Sequence, residues 1–214
     1  MKLSKGYISI AIILLILLID QIVKIWVKTH FFIGESVEVT PWFYIHFIEN
    51  NGMAFGMELG SKYLLTLFRI VVVSGLLYYL FKIRNNETFP FGYIICISAI
   101  IAGAAGNILD CLFYGLIFNN PLPPEAASLF PSDGGYAPLM LGRVVDMLYF
   151  PLFSFVWPEW VPFVGGDSFL FFQPVFNVAD AAISVGIIVL ILFYSKCISL
   201  PTAQQSSVDN SSSE

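Results

Sequence analysis

FGYIICISAIIAGAAGNILDCLF, residues 91–113, carries no charged side chain before Asp110. A helix needs about 20 predominantly apolar residues to cross roughly 30 Å of hydrocarbon, and this stretch supplies them. Three others do the same, from about Tyr7 to Trp26, Tyr63 to Phe81 and Phe176 to Cys197. The whole chain has 214 residues, is 57% hydrophobic and 12% charged, and has a mean hydropathy of +0.81. Soluble domains are about 25% charged, so the composition is that of an integral membrane protein. Lys2 and Lys5 precede the first span and no small-residue cleavage site follows its apolar run, which predicts a retained anchor rather than a removed signal peptide.

The polar residues left inside these spans carry the chemistry. Gly103-Ala104-Ala105-Gly106 offers the small surface that lets membrane helices approach closely, and packing is the favoured reading for those four residues. Asn107 and Asp110 follow at i,i+3 on one helix face, and Asn177 and Asp180 repeat the spacing at the start of the fourth span. A carboxylate at a helix centre costs about 2.5–3.5 kcal/mol on insertion scales; a helix that needed only shape would use Leu or Ala. Asp146, in Gly142-Arg143-Val144-Val145-Asp146, approaches from a connecting loop. Asp20 and Lys24 form an i,i+4 pair near the end of the first span, read equally as a local ion pair or as a site-shaping pair.

Two carboxylates brought together in a low-dielectric site share a proton, which leaves one as a base to activate water and one as an acid to polarise a carbonyl. A bell-shaped rate profile is the expected signature. Nothing competes for the chemistry. Cys96, Cys111 and Cys197 form no metal or redox spacing. His30 and His46 sit in no HExxH, and there is no GxSxG. No metal or cofactor is expected. The net charge of −5 says little about partners, and the absence of a basic patch excludes nucleic acid.

Four spans put both termini on one side. Lys2, Lys5, Lys82, Arg84 and Lys196 make that side cytoplasmic by the positive-inside rule, and the other five basic residues lie outside or near the outer interface. Residues 31–58 contain two short strands, Val37–Thr40 and Phe43–Ile48, ending at Asn50-Asn51-Gly52, so a small sheet is expected on the outer surface. Residues 114–175 are rich in Pro, Gly and aromatics and read as a long interfacial loop. The expectation is one integral membrane domain over 1–200, all-α with a small extracytoplasmic antiparallel sheet, and a disordered cytoplasmic tail over 201–214.

In this arrangement the chain resembles the lipoprotein signal peptidases, or signal peptidase II. The resemblance rests on Asp20-Gln21-x-x-Lys24, Asn50-x-Gly52-x-Ala54-Phe55, Gly106-Asn107-x-x-Asp110, Val144-Val145-Asp146 and Phe176-Asn177-x-Ala179-Asp180, in that order across most of the chain. Each motif alone is common; five in sequence on four spans are specific. The resemblance implies a membrane aspartyl endopeptidase of the bacterial inner membrane, a monomer among membrane lipids. It would cleave prolipoproteins before a diacylglyceryl-modified cysteine. Asp146 and Asp180 correspond to the catalytic pair. Asn107, Asp110 and Asn177 correspond to residues around it, and Asn50, Gly52, Asp20 and Lys24 to ordering or substrate-contact positions.

Two departures accompany the resemblance. Cys111 stands where the family usually has Arg, a residue expected to contact substrate backbone or a neighbouring carboxylate. Arg143 is the expected replacement, because a guanidinium offers planar bidentate donors. The second is a long insert, Leu116 to Leu141, expected to act as a lid or substrate wall on the membrane surface. The rival readings are a proton- or ion-coupled transporter, which would need polar groups through the membrane depth, and a non-catalytic scaffold that binds lipidated proteins.

Overall fold

A computed structural model describes residues 4–51 and 59–198. Gly52, expected at the site, and the tail from 201 lie outside the described residues. Helices α1 (Lys5–His30), α2 (Leu59–Ile83), α3 (Phe91–Leu109) and α5 (Val178–Ile198) correspond to the four apolar stretches. Each is long and apolar enough to cross a membrane, α3 by running on through a π-helical turn (Asp110–Tyr114) and the one-turn α4 (Gly115–Ile117). The two strand stretches read from residues 31–58 form β1 (Ser36–Thr40) and β2 (Phe43–Asn50).

The sides of α1 are reversed relative to a soluble helix. Leu14, Leu18 and Ile22 face outward, while Asp20, Lys24 and Lys28, four residues apart along one face, are all at most 2% exposed. A hydrocarbon surround rewards this arrangement, since a charge facing lipid has no partner. Helix α3 is the central element and packs against α1, α2 and α5. Its small-residue run explains how closely α5 and α1 can come: a Cβ on Gly103 would collide with the Ala179 carbonyl and Ile183 of α5, and one on Gly106 would stand 2.6 Å from Asp20 Oδ2 of α1. Gly103→Val is therefore expected to destabilise the bundle by about 1–3 kcal/mol through overpacking. Thermal unfolding in detergent micelles would show it; an unchanged midpoint would contradict the packing.

At one end of the bundle lies a four-stranded antiparallel sheet of order β1-β2-β3-β6, with β3 at Val144–Tyr149 and β6 at Val175–Phe176. The sheet is larger than the two strands expected, because residues 114–175 are not one structureless loop. They supply β3, β6 and a separate hairpin, β4 (Phe153–Val156) with β5 (Ser168–Phe171). Val144–Tyr149 escapes a sequence reading because its apolar side chains are buried on both faces and do not alternate with polar ones.

The insert of residues 116–141 is stitched to the end of α3. The N–H groups of Phe130, Ala137, Met140 and Gly142 donate to the carbonyls of Ile117, Gly115, Leu112 and Cys111. Helix ends leave carbonyls without intrahelical donors, and here the loop supplies the donors. Gly142 is required for this approach, as any Cβ there would strike the Asp110 carbonyl. Phe118 and Ala127 are buried against Val27, Phe47 and Met147.

Candidate active site

The pairing of β2 with β3 sorts the polar residues onto two faces. Ile48 lies opposite Asp146, Glu49 opposite Val145 and Asn50 opposite Val144. Side chains alternate along a strand, so Asn50 and Asp146 share one face as diagonal neighbours, and the Asn50 side chain hydrogen-bonds the Asp146 carboxylate. Glu49 and Arg143 fall on the other face.

Asp146 meets the start of α5 through Asn177. Asn177 Nδ2 donates to Asp146 Oδ1 at 2.6 Å, and its Oδ1 accepts the Asp180 N–H at 2.8 Å, three residues on, as at a helix N-terminus. One amide thus fixes both acids. Asp180 Oδ1 accepts from Asn107 Nδ2 at 2.8 Å. Asp146 is 2% exposed and Asp180 partly exposed. Burial, and next the charge of Asp180, raise the Asp146 pKa to about 7 against the pull of the Asn177 and Asn50 hydrogen bonds. The site therefore holds a carboxyl that keeps its proton near neutrality beside a second acid.

Behind the pair lies a buried cation. Lys24, 0% exposed, spends its three donors on Asp20 at 2.9 Å, Asp110 at 2.8 Å and Asn107 Oδ1 at 2.8 Å. The Gln21 amide reaches the same two acids: Nε2 donates to Asp110 Oδ1 at 2.9 Å and Asp20 Oδ2 at 3.1 Å, while Tyr114 donates its hydroxyl to Gln21 Oε1 at 3.1 Å. Asp20 Oδ1 also accepts the Ala179 N–H at 2.9 Å, and Asp110 Oδ2 the Val145 N–H at 3.4 Å. Asp20 and Asp110 thereby hold the backbone one residue before each member of the pair. The motif residues Asp20, Lys24, Asn50, Asn107, Asp110, Asp146, Asn177 and Asp180 fall in one connected network. Gln21, which stands in the first motif without an assigned role, and Tyr114 belong to it too.

Arg143 stands elsewhere. Its Nη1 donates to Glu49 Oε2 at 2.8 Å and Asn120 Oδ1 at 3.0 Å, and its guanidinium lies 4.9 Å from the Tyr136 ring. Lys28 completes the Glu49 ion pair. The expected contact with a site carboxylate is not made among the described residues: Arg143 comes just before β3, an odd offset from Asp146, and its guanidinium pairs on the Glu49 side of the sheet. The guanidinium beside Cys111 comes instead from α2: Arg69 Nη1 donates to Cys111 Sγ at 3.4 Å. The one cue in the sequence was a lone arginine inside an apolar span. Among the described residues no group of three His, Cys, Asp or Glu is placed to hold a metal ion.

Comparisons with known proteins identify the family. The family model described as signal peptidase (SPase) II, a peptidase family, matches residues 12–196. The lipoprotein signal peptidase of Porphyromonas gingivalis (strain ATCC 33277) is 51% identical over 199 residues, 93% of this chain and 88% of the relative. That of Amoebophilus asiaticus is 34% identical over 95% of this chain and 84% of the relative. A solved bacterial membrane enzyme, determined by the in meso method at 1.9 Å resolution, is 25% identical with a TM-score of 0.58, covering 86% of this chain and 90% of its own. By a match that covers residues 12–196 and so reaches all four apolar helices, this chain belongs to the signal peptidase II family of membrane peptidases.

Proposed function

We propose that the protein is an aspartic endopeptidase that removes the signal peptide of prolipoproteins by hydrolysing the bond before a diacylglyceryl-modified cysteine. The observation that carries the aspartic reading is the Asn177 amide clamped between Asp146 and the Asp180 backbone, with Asp146 holding its proton to about pH 7. Family membership supplies the substrate class. Asp180, partly exposed and oriented by Asn107, acts as the base that takes a proton from water as its oxygen attacks the carbonyl carbon. Asp146 gives its proton to the carbonyl oxygen. When the C–N bond breaks, the proton held by Asp180 goes to the leaving amine and Asp146 recovers its own.

The transporter alternative finds no support in these observations. The buried ion pairs of the described residues gather at the sheet end of the bundle and form no chain through the spans. The sheet end is proposed to face outward, with both termini in the cytoplasm and a single chain sufficing for the site. The aromatic run Trp42, Phe43, Phe150, Phe176 and Phe172, in successive ring contact, would then lie at the lipid headgroups. The insert, stitched as it is, serves as a fixed wall and not a swinging lid.

The test is direct. Purified protein should convert a diacylglyceryl prolipoprotein to a product whose mass places the cut before the lipidated cysteine. The same protein lacking the lipid should not be cut; binding without cleavage would favour a scaffold. The pH dependence follows from the Asp146 proton: kcat/KM should be bell-shaped, with its alkaline limb near pH 7 as that proton is lost. A rate still rising at pH 9 would contradict the division of roles.

A further inference from the structure

Three basic groups near the site, Lys24, Lys28 and Arg143, have carboxylate partners. Two on α2 do not, among the described residues. Lys62, 3% exposed, donates to the neutral Asn51 Oδ1 at 3.2 Å, and among the described residues Arg69 donates to the Cys111 thiol alone. Lys62, Thr66 and Arg69 lie at i, i+4 and i+7 on one face of the helix. Thr66 ties that face to the site loop by donating to the Met140 carbonyl at 3.2 Å. A thiol sulfur is at best a weak acceptor, so it satisfies little of the charge beside it. A guanidinium has five N–H donors in a planar fork, so Arg69 has donors to spare beside the residue that follows Asp110.

An ionised side chain within a membrane span is costly unless partnered, and such residues characteristically face a binding path. We propose that Arg69, backed by Lys62, binds the substrate, donating to carbonyl oxygens of the lipidated segment as it enters between α2 and α3. The inference rests on the reading of the reaction given above. Carbonyl oxygens fit because they satisfy several N–H donors at once without carrying a counter-charge into the span. Such oxygens occur in two places on the substrate, the peptide backbone and the acyl esters of the diacylglycerol.

Full-length protein in micelles, assayed with a fluorogenic peptide bearing S-diacylglyceryl cysteine, tests it. Arg69→Gln should raise KM roughly ten- to a hundredfold, the worth of one or two charge-assisted hydrogen bonds, with kcat held within about threefold. Arg69→Lys, which keeps the charge and loses the fork, should fall between the two. A peptide with ether-linked alkyl chains separates the sources. If Arg69→Gln costs the same on it, the carbonyls are amides. If it binds the wild type weakly and the substitution adds nothing, they are esters. An Arg69→Gln protein with wild-type KM, whether or not its kcat or thermal stability has fallen, overturns the inference alone. A wild-type protein that cleaves no lipidated peptide overturns the reading of the reaction as well.

Discussion

Asp146→Asn and Asp180→Asn should each lower kcat by about 10²–10⁴, the usual worth of a positioned general acid or base, in a protein that remains folded. The substitutions are isosteric, and an asparagine at 146 can still accept from Asn177 Nδ2 through its carbonyl oxygen. What it cannot do is give up a proton to the scissile carbonyl. The two losses should not add in the double variant, because the acids act as one unit. Stability offers a control that points the other way. The Asp146 pKa is raised from 3.8 to about 7 by folding, so its favourable contribution is fully present below about pH 4 and is lost as pH rises through 7. Asp146→Asn removes that loss. The inactive variant should therefore match or exceed the wild type in thermal midpoint at pH 8, and a marked fall there would show that Asp146 is ionised and paired in the folded protein.

Lys24→Met should be the most destabilising single change in the network, by about 3–5 kcal/mol, the cost of leaving buried charge unpaired. The lysine is 0% exposed and, among the described residues, is the only cation paired with Asp20 and Asp110, themselves at most 1% exposed. Methionine fills the volume and leaves two acids facing each other, bridged only by Gln21. The Ala179 and Val145 amides held by these acids would be released with them, and activity should fall along with stability. A Lys24→Met protein with a wild-type melting curve would mean that the ion pairs are not what holds the acids. A combined Asp20→Asn/Lys24→Met/Asp110→Asn variant should recover part of the stability, since all three charges go together.

The spans were legible in the sequence because hydrocarbon thickness sets a length that few soluble segments reach. The acids were legible because each is a costly exception in an apolar run. The sheet was only half legible: β2 ends in recognisable turn chemistry, whereas β3 is buried on both faces and β6 has two residues. Arg143 shows a limit of a different kind. Its distance from Asp146 along the chain is short, but facing depends on whether that segment is a strand, and only the pairing with β2 decides it. Arg69 was visible as an arginine in a span, yet its position beside Cys111 depends on how α2 lies against α3, a matter of packing that no local pattern records.

The hydrogen bond from the Ala179 N–H to Asp20 joins the last helix to the first across 159 residues. That bond has a consequence for the birth of the enzyme. A growing chain that has inserted α1, α2 and α3 owns Lys24, Asn107 and Asp110 but neither the clamp on Asp146 nor the second acid. On the aspartic reading proposed above, proteolytic competence arrives only when α5 docks on α1, and the chain that lacks α5 holds no complete acid pair.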